Sequence, residues 1–222
     1  MHQEYYNKKG EEVPSVTTVL KILQKDGLLQ WANSIGKRGI DYQTFLNNKA
    51  TFGTIVHELL ESYLTGSNAY IICSQNTMTE AMYLVDKFKA AREDLRITNV
   101  TTEIPLTCDE YGGTIDIICD IITDDGYVTI LGDFKTSKKV YETHFIQLGG
   151  YLNLIKLTNK KLYDKIQLCA IFSITEEKIV MKYITKENCE KYFTKIFLEL
   201  LAVYKSWHTI TGLKDIYKSK SY

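Results

Sequence analysis

Proline is scarce in these 222 residues; the only two are Pro14 and Pro105. There is no proline- or glycine-rich linker, no low-complexity tract and no internal repeat, so nothing marks a domain boundary. The chain therefore reads as one domain over 1–222. Long apolar runs are lacking too. No window approaches the roughly 18 consecutive apolar residues of a membrane helix, which argues against any membrane association. Met1 to Gly10 is polar and lacks the apolar stretch of a signal peptide, so a cytoplasmic protein is expected. Excess charge of one sign is also missing, with 27 Lys and Arg against 27 Asp and Glu. Binding duplex phosphates tightly without regard to sequence calls for a basic excess, so that class is disfavoured, although a local basic groove or an acidic metal site remains compatible. The five cysteines, Cys73, Cys108, Cys119, Cys169 and Cys189, are odd in number, irregularly spaced and form no Cys-x-x-Cys. A zinc or iron–sulfur site is therefore not expected; reduced, mostly buried thiols are.

What is present suits a globular core. The hydrophobic fraction is 45% and the charged fraction 24%, so the fold needs no disulfide or structural metal to hold it. Pro14-Ser15-Val16-Thr17 predicts a helix entry capped at Ser15 or Thr17, followed by Val16, Val19, Leu20 and Leu23 at helical spacing. Further helices are predicted over Leu28 to Arg38 and over Phe52 to Leu64, the latter with an apolar face of Ile55, Leu59, Leu60 and Tyr63. Another is predicted over Thr77 to Leu95, with Met82, Val85, Phe88 and Lys89 on its buried side. The texture then changes to Ile, Val, Thr and Tyr bounded by Asp, Gly and Asn. Strands are predicted at Val100 to Leu106, Gly113 to Ile122, Tyr127 to Phe134, Ile166 to Ser173 and Glu177 to Tyr183. Asp124-Asp125-Gly126 is a hairpin turn signal. Helices return at Thr143 to Leu157 and Lys186 to Ile210. The expected fold class is α/β, a mixed central β-sheet with flanking helices. It has a helical part over 1–98, a catalytic sheet and helix over 99–185 and a C-terminal helix over 186–222.

The stretch that carries chemistry is Gly112-Gly113-Thr114-Ile115-Asp116, followed by Gly132-Asp133-Phe134-Lys135-Thr136-Ser137. Asp116 lies early in one predicted strand and Asp133 near the end of the next. Antiparallel pairing brings both carboxylates to one end of the sheet. Asp133 and Lys135, two residues apart, project from one face. Carboxylates are hard oxygen ligands suited to Mg2+ or Mn2+, and an ammonium beside them can orient water or stabilise charge on a phosphate. The Phe134 carbonyl is a further ligand candidate. Each half has an ordinary reading as well: a lone Asp-x-Lys is commonly a strand-end ion pair, and a lone Gly-x-x-Asp a turn. His57 stands in Gly53-x-x-x-His57-Glu58 on a predicted helix, where a surface histidine is the plain alternative. Gln147 and Tyr151 share one helix face at i, i+4, where simple packing is the alternative.

The four motifs, in this order and on these elements, resemble the RecB-like exonuclease branch of the PD-(D/E)XK nuclease superfamily. That branch includes nuclease domains of bacterial helicase–nucleases, CRISPR-associated exonucleases and the mitochondrial genome maintenance exonuclease with its phage-encoded relatives. Val13-Pro14-Ser15-Val16-Thr17-Thr18-Val19-Leu20, then Trp31-Ala32 and Gly36, resembles the opening of the shorter stand-alone members. Together the motifs run from about residue 13 to 151. The resemblance implies a restriction-endonuclease-like core with added N-terminal helices and a Mg2+- or Mn2+-dependent DNA exonuclease, in phage-type replication, recombination or repair. The compartment it implies is a bacterial or phage-infected host cytoplasm. By position, His57, Asp116, Asp133 and the Phe134 carbonyl would bind metal, with Glu103 as an additional acidic candidate. Lys135 would be the catalytic lysine, and Gln147 and Tyr151 would position the scissile phosphate or the strand. The cysteine grouping of cluster-bearing members is absent, so no iron–sulfur cluster is implied. Partners would be single-stranded DNA or DNA ends, with a helicase, recombinase or single-strand-binding protein as a separate chain. Lys138 and Lys139 could meet phosphates, as could the run Lys156, Lys160, Lys161 and Lys165; a solvated face is the alternative for both. A structure-selective endonuclease on the same fold and a non-catalytic DNA-binding module of a larger assembly are the other readings. The intact Asp116, Asp133 and Lys135 argue against the latter.

Overall fold

A sheet of five strands carries the candidate motifs at one of its ends. The computed structural model describes residues 3–23 and 28–212. Met1, His2, residues 24–27 and the last ten residues of the expected C-terminal part, 213–222, lie outside the described residues, as does the Trp31 side chain. The strands are β3 (Ile97–Thr107), β4 (Gly112–Thr123), β5 (Gly126–Lys135), β6 (Ile166–Ile174) and β7 (Ile179–Thr185), after a short N-terminal pair, β1 (Tyr5–Tyr6) and β2 (Glu12–Val13). Their order is β3-β4-β5-β6-β7; β5 and β6 are parallel and the other neighbours antiparallel. This is the expected mixed sheet with flanking helices, compatible with a restriction-endonuclease-like core. Asp124 and Asp125 make the turn between Thr123 and Gly126, and Gly126 takes a φ of 133°, open only to glycine at low cost.

Parallel strands need a crossover, and α5 (Glu142–Thr158) with α6 (Lys160–Lys165) supplies it. Helix α5 is buried almost all round, from His144 to Leu152 and again at Leu154 and Ile155, as a helix apolar on every side must be. It lies under one face of the sheet, with α1 (Val16–Leu20), α7 (Lys186–Tyr192) and the start of α8 (Leu198–Gly212) against it. Gly149 permits the closest approach: a Cβ there would come within 2.9 Å of the Phe193 backbone nitrogen. The other face is covered by α3 (Tyr42–Thr65) and α4 (Gln75–Asp94). The remaining helix, α2, spans Leu28–Lys37.

Several expectations need adjusting. Ser15, rather than Thr17, caps α1, accepting from the Thr18 amide at 3.0 Å. Helix α3 starts ten residues earlier than the apolar pattern suggested, at an Asp41 cap, and its fully buried residues are Ile55, Val56 and Leu60. On α4 the core side is Ala81, Leu84, Val85 and Phe88, whereas Met82 is 52% exposed and the Lys89 side chain 42% exposed. The reason is a stripe rotated by one residue, which keeps the ammonium in water. The long C-terminal helix is interrupted by a π turn at Phe193–Phe197, and the β1–β2 hairpin was not anticipated. Among the described residues, no helix is long and apolar enough to cross a membrane.

Candidate functional site

The site begins where a ladder ends. Strands β4 and β5 pair as far as Ile117↔Gly132. Beyond that point the Asp116 side chain replaces a ladder carbonyl: its Oδ2 accepts the Phe134 backbone N–H at 2.8 Å. Gly132 lets the strands close up to this point, because a Cβ there would lie 2.7 Å from both Ile117 and Phe172. The side-chain alternation of β4 also breaks here. Ile115 lies in the core under α5 and Ile117 in the core under α3 and α4. Opposite, Glu103 falls between the partners Thr102↔Ile117 and Ile104↔Ile115, with a left-handed φ of 48°. Such a conformation costs about 1–3 kcal/mol for a residue with a side chain and is concentrated at functional sites.

His57 reaches this gap from α3. Its Nε2 lies 3.0 Å from the Phe134 carbonyl oxygen and its Nδ1 3.5 Å from Asp116 Oδ2. With Nε2 donating to the carbonyl, Nδ1 presents a lone pair beside the carboxylate. His57, Glu103 and Asp116 each offer a ligand atom within 4.8 Å of the others. Burial pushes the Glu103 carboxyl up to about 7, with Asp116, Glu61, Asp133 and Glu58 adding to the rise.

Asp133 and Lys135 occupy the other side of the gap. Asp133 is fully buried, and Lys135 Nζ stands 2.5 Å from its Oδ2 with its side chain 23% exposed. Oδ1 accepts from Gln147 Nε2 at 2.8 Å, and the same nitrogen lies 2.9 Å from the Tyr151 hydroxyl. Burial raises Asp133 to about 6; Lys135 opposes this rise and Asp116 adds to it. Burial works to lower Lys135, but the carboxylates of Asp133 and Asp116 outweigh it and the ammonium is stabilised. Burial also lifts the Tyr151 phenol well above its usual range, so it stays protonated. Gly113 makes room for that ring, since a Cβ would meet Tyr151 Cε1 at 2.5 Å.

The fold thus brings His57, Glu103, Asp116, Asp133, Phe134, Lys135, Gln147 and Tyr151 to one end of the sheet. Within that group the three mutually close ligands are His57, Glu103 and Asp116, while Asp133 faces Lys135 and Gln147. Gly53 lies beside Thr136, but a Cβ would sit at an ordinary 3.6 Å from its Oγ1, so packing there does not demand glycine. Lys138 is exposed and ion-paired with Glu177, and Lys139 Nζ lies 5.0 Å from the centre of the Tyr141 ring. Lys156 and Lys160 pair with Glu190 and Asp164. Sequence reasoning gave Thr114 no role of its own and missed Tyr5 and Gln3, which hydrogen-bond to Thr114 two residues from Asp116. The one available signal was that Thr114, two residues before Asp116, shares its side of the strand.

The donor set fits a hard divalent cation: one imidazole nitrogen and two carboxylates lie mutually close, with the Phe134 carbonyl beside the imidazole. No family model matches the chain. No curated protein matches it either. Among solved structures it is similar to SSO0001, at 14% identity and a TM-score of 0.33 over 64% of this chain and 63% of the other. The chain thus spans less than two thirds of that protein. It is also similar to LHK-Exo, solved in complex with dAMP, at 16% identity and a TM-score of 0.29 over 72% of this chain and 84% of the other. Likeness at this level assigns no activity.

Proposed function

We propose that this chain is a Mg2+- or Mn2+-dependent nuclease of the RecB-like PD-(D/E)XK branch that hydrolyses DNA from strand ends. The observation that carries the reading is the convergence of His57, Glu103 and Asp116 within 4.8 Å at the strand end that also holds the Asp133–Lys135 pair. A divalent ion held there supplies positive charge beside the phosphodiester oxygens and acidifies a water molecule.

The chain's own groups have separable tasks. His57, Glu103 and Asp116 would be the principal ligands, with the Phe134 carbonyl beside His57 and the Asp133–Lys135 pair across the gap. Lys135 remains charged, because Asp133 stabilises its ammonium, and it donates to the attacking water or to the phosphate as charge builds there. Gln147 fixes the Asp133 carboxylate through Oδ1 and leaves Oδ2 turned to the lysine. Tyr151, neutral and buried, anchors the Gln147 amide. In hydrolysis the water oxygen bonds to phosphorus and gives up a proton, the bond from phosphorus to the leaving sugar oxygen breaks, and that oxygen takes up a proton from solvent, so that the net transfer is one proton from the water to the leaving oxygen.

A cleavage assay in Mg2+ or Mn2+ tests this, with end-labelled linear single strands, matched duplex and a covalently closed single-stranded circle. Metal-dependent shortening of the linear strand, an intact circle and loss of activity in Asp116→Asn are expected. Undiminished cleavage by Asp116→Asn would falsify the proposal. Cutting of the circle would instead identify an endonuclease on the same site.

A further inference from the structure

Helix α3 outruns the strand that it covers. Its Gly53 lies beside Thr136, where a Cβ would stand 3.6 Å from the threonine Oγ1, and one turn later His57 Nε2 reaches the Phe134 carbonyl oxygen at 3.0 Å. The helix therefore runs antiparallel to β5, and its stretch before Gly53, from Tyr42 to Phe52, continues past the end of that strand. At 1.5 Å per residue this is about 16 Å of helix. Lys49, Gly53, Val56 and Leu60 fall on one stripe of α3, each three or four residues from the next. Val56 and Leu60 are fully buried in the core between the helices and the sheet. Gly53 is half-buried and Lys49 exposed. The stripe that packs on the sheet thus ends in a lysine just where β5 has ended. Lys49 stands about 6 Å along the helix from Gly53, beyond the end of the strand that carries Asp133 and Lys135.

Charge on this part of the chain is one-sided. Between residues 28 and 52 the cations are Lys37, Arg38 and Lys49, and the one carboxylate is Asp41. Asp41 is committed as the cap of α3, accepting from the Thr44 amide at 2.7 Å. Lys37 closes α2 and Arg38 follows it, so both lie in the short turn that leads through Gly39 to the outer end of α3. All three cations are exposed, and none joins an ion pair among the described residues. Lys49 Nζ lies 5.8 Å from the centre of the Phe45 ring. Lys138, which the sequence offered as a phosphate contact, is instead paired with Glu177. At the site itself Glu103, Asp116 and Asp133 outnumber the single cation Lys135. A metal ion there neutralises the phosphate that it touches; the neighbouring phosphates of a strand need cations from the protein.

Building on the nuclease reading, we infer that Lys49 binds a backbone phosphate of a single strand next to the scissile one, and that Lys37 and Arg38 carry the same track on toward the start of α3. A strand with one phosphate at the metal ligands, leading outward along α3, meets Lys49 first. About 10 Å further along the helix it meets the turn that holds Lys37 and Arg38. Cations spaced along one helix suit a single sugar–phosphate backbone, and a chain of zero net charge lacks the excess that a duplex binder uses.

The test uses the full chain and a fluorescein-labelled single strand of about 20 nucleotides. Binding is read by anisotropy over a range of salt with Ca2+, another hard ion that takes oxygen ligands, and cleavage is read separately with Mn2+. Lys49→Gln should weaken binding about tenfold, the scale of one charged hydrogen bond. It should also reduce the slope of log affinity against log salt by about 0.7, the share of one phosphate contact on a single strand. The triple variant Lys37→Gln, Arg38→Gln, Lys49→Gln should reduce that slope by about 2. Lys49→Arg should retain it, and Lys195→Gln, at an exposed position of the π turn, should match wild type. A merely structural lysine would lower the melting temperature and leave the slope unmoved. Unchanged affinity and slope in Lys49→Gln, alongside Mn2+-dependent cleavage by wild type, overturn the inference and leave the nuclease reading standing. A slope change confined to matched duplex overturns it as well. A wild-type protein that binds strands through Lys49 yet cleaves none sinks the nuclease reading alone.

Discussion

Asp116 accepts the backbone N–H of Phe134 at 2.8 Å, so a candidate ligand carboxylate on one strand is pinned to the next strand at the residue between Asp133 and Lys135. That bond fixes the distance between the two halves of the site more directly than the ladder does, because the ladder has already ended at Ile117↔Gly132. Asp116→Ala therefore removes a ligand and a strand-to-strand tie together. Asp116→Asn retains an oxygen that can accept from Phe134 and is the cleaner probe of metal binding.

Metal affinity should depend on all three close ligands. Calorimetry with Mn2+ should show at least about a tenfold loss for each of His57→Ala, Glu103→Gln and Asp116→Asn, as removal of a carboxylate or imidazole ligand weakens a hard-ion site. An unchanged affinity in Glu103→Gln would remove Glu103 from the ligand set. In wild type, Mn2+ at about 100 times its Kd should stabilise the fold by about 2.7 kcal/mol, seen as a raised melting temperature.

The pH dependence of the metal-free protein has a defined sign. Glu103 and Asp133 both titrate higher in the folded chain than their ordinary values, at about 7 and about 6. Between the unfolded values and these, the native state binds more protons than the unfolded state, so stability must fall as pH rises through this window. The melting temperature without metal should drop from pH 4.5 to 7.5, and Glu103→Gln should flatten the upper part of that decline. Mn2+ binding should strengthen over the same range, since the ion displaces those protons. A melting temperature that rises across the window would contradict both assignments.

Lys135→Met should eliminate cleavage and also destabilise the protein, because it leaves the fully buried Asp133 without its cation. The expected loss is about 3 kcal/mol by urea unfolding at pH 8, shrinking on acidification as Asp133 takes up a proton. Stability equal to wild type at pH 8 would mean that solvent already screens the pair.

Gly149→Ala tests the packing behind the site rather than the site itself. Its Cβ would meet backbone atoms, Phe193 N at 2.9 Å and Cys189 O at 3.0 Å, which cannot rotate away as a side chain can. A loss of about 1–3 kcal/mol is expected, read as a lowered urea midpoint. If the variant is as stable as wild type, α5 and the π turn are not locked together as described.

Composition and turn chemistry in the sequence were enough to reveal strands over Val100 to Leu106, Gly113 to Ile122 and Tyr127 to Phe134, inside the observed bounds, and the Asp124-Asp125 hairpin, because those signals are local. A period of two placed Asp133 and Lys135 together, and helical spacing paired Gln147 with Tyr151. Only the tertiary structure could decide how the halves meet. Glu103 reaches His57 and Asp116 through a left-handed residue and a broken alternation at Asp116, neither of which has a sequence signature in a non-glycine residue. Tyr5 and Gln3 reach Thr114 across a separation of more than a hundred residues, set by the packing of a hairpin too short to show in hydrophobic pattern. Periodicity determined which groups share a strand or helix face. Long-range packing, through the ladder that stops at Gly132 and the helix that carries His57, decided which of them lie close enough to hold one ion.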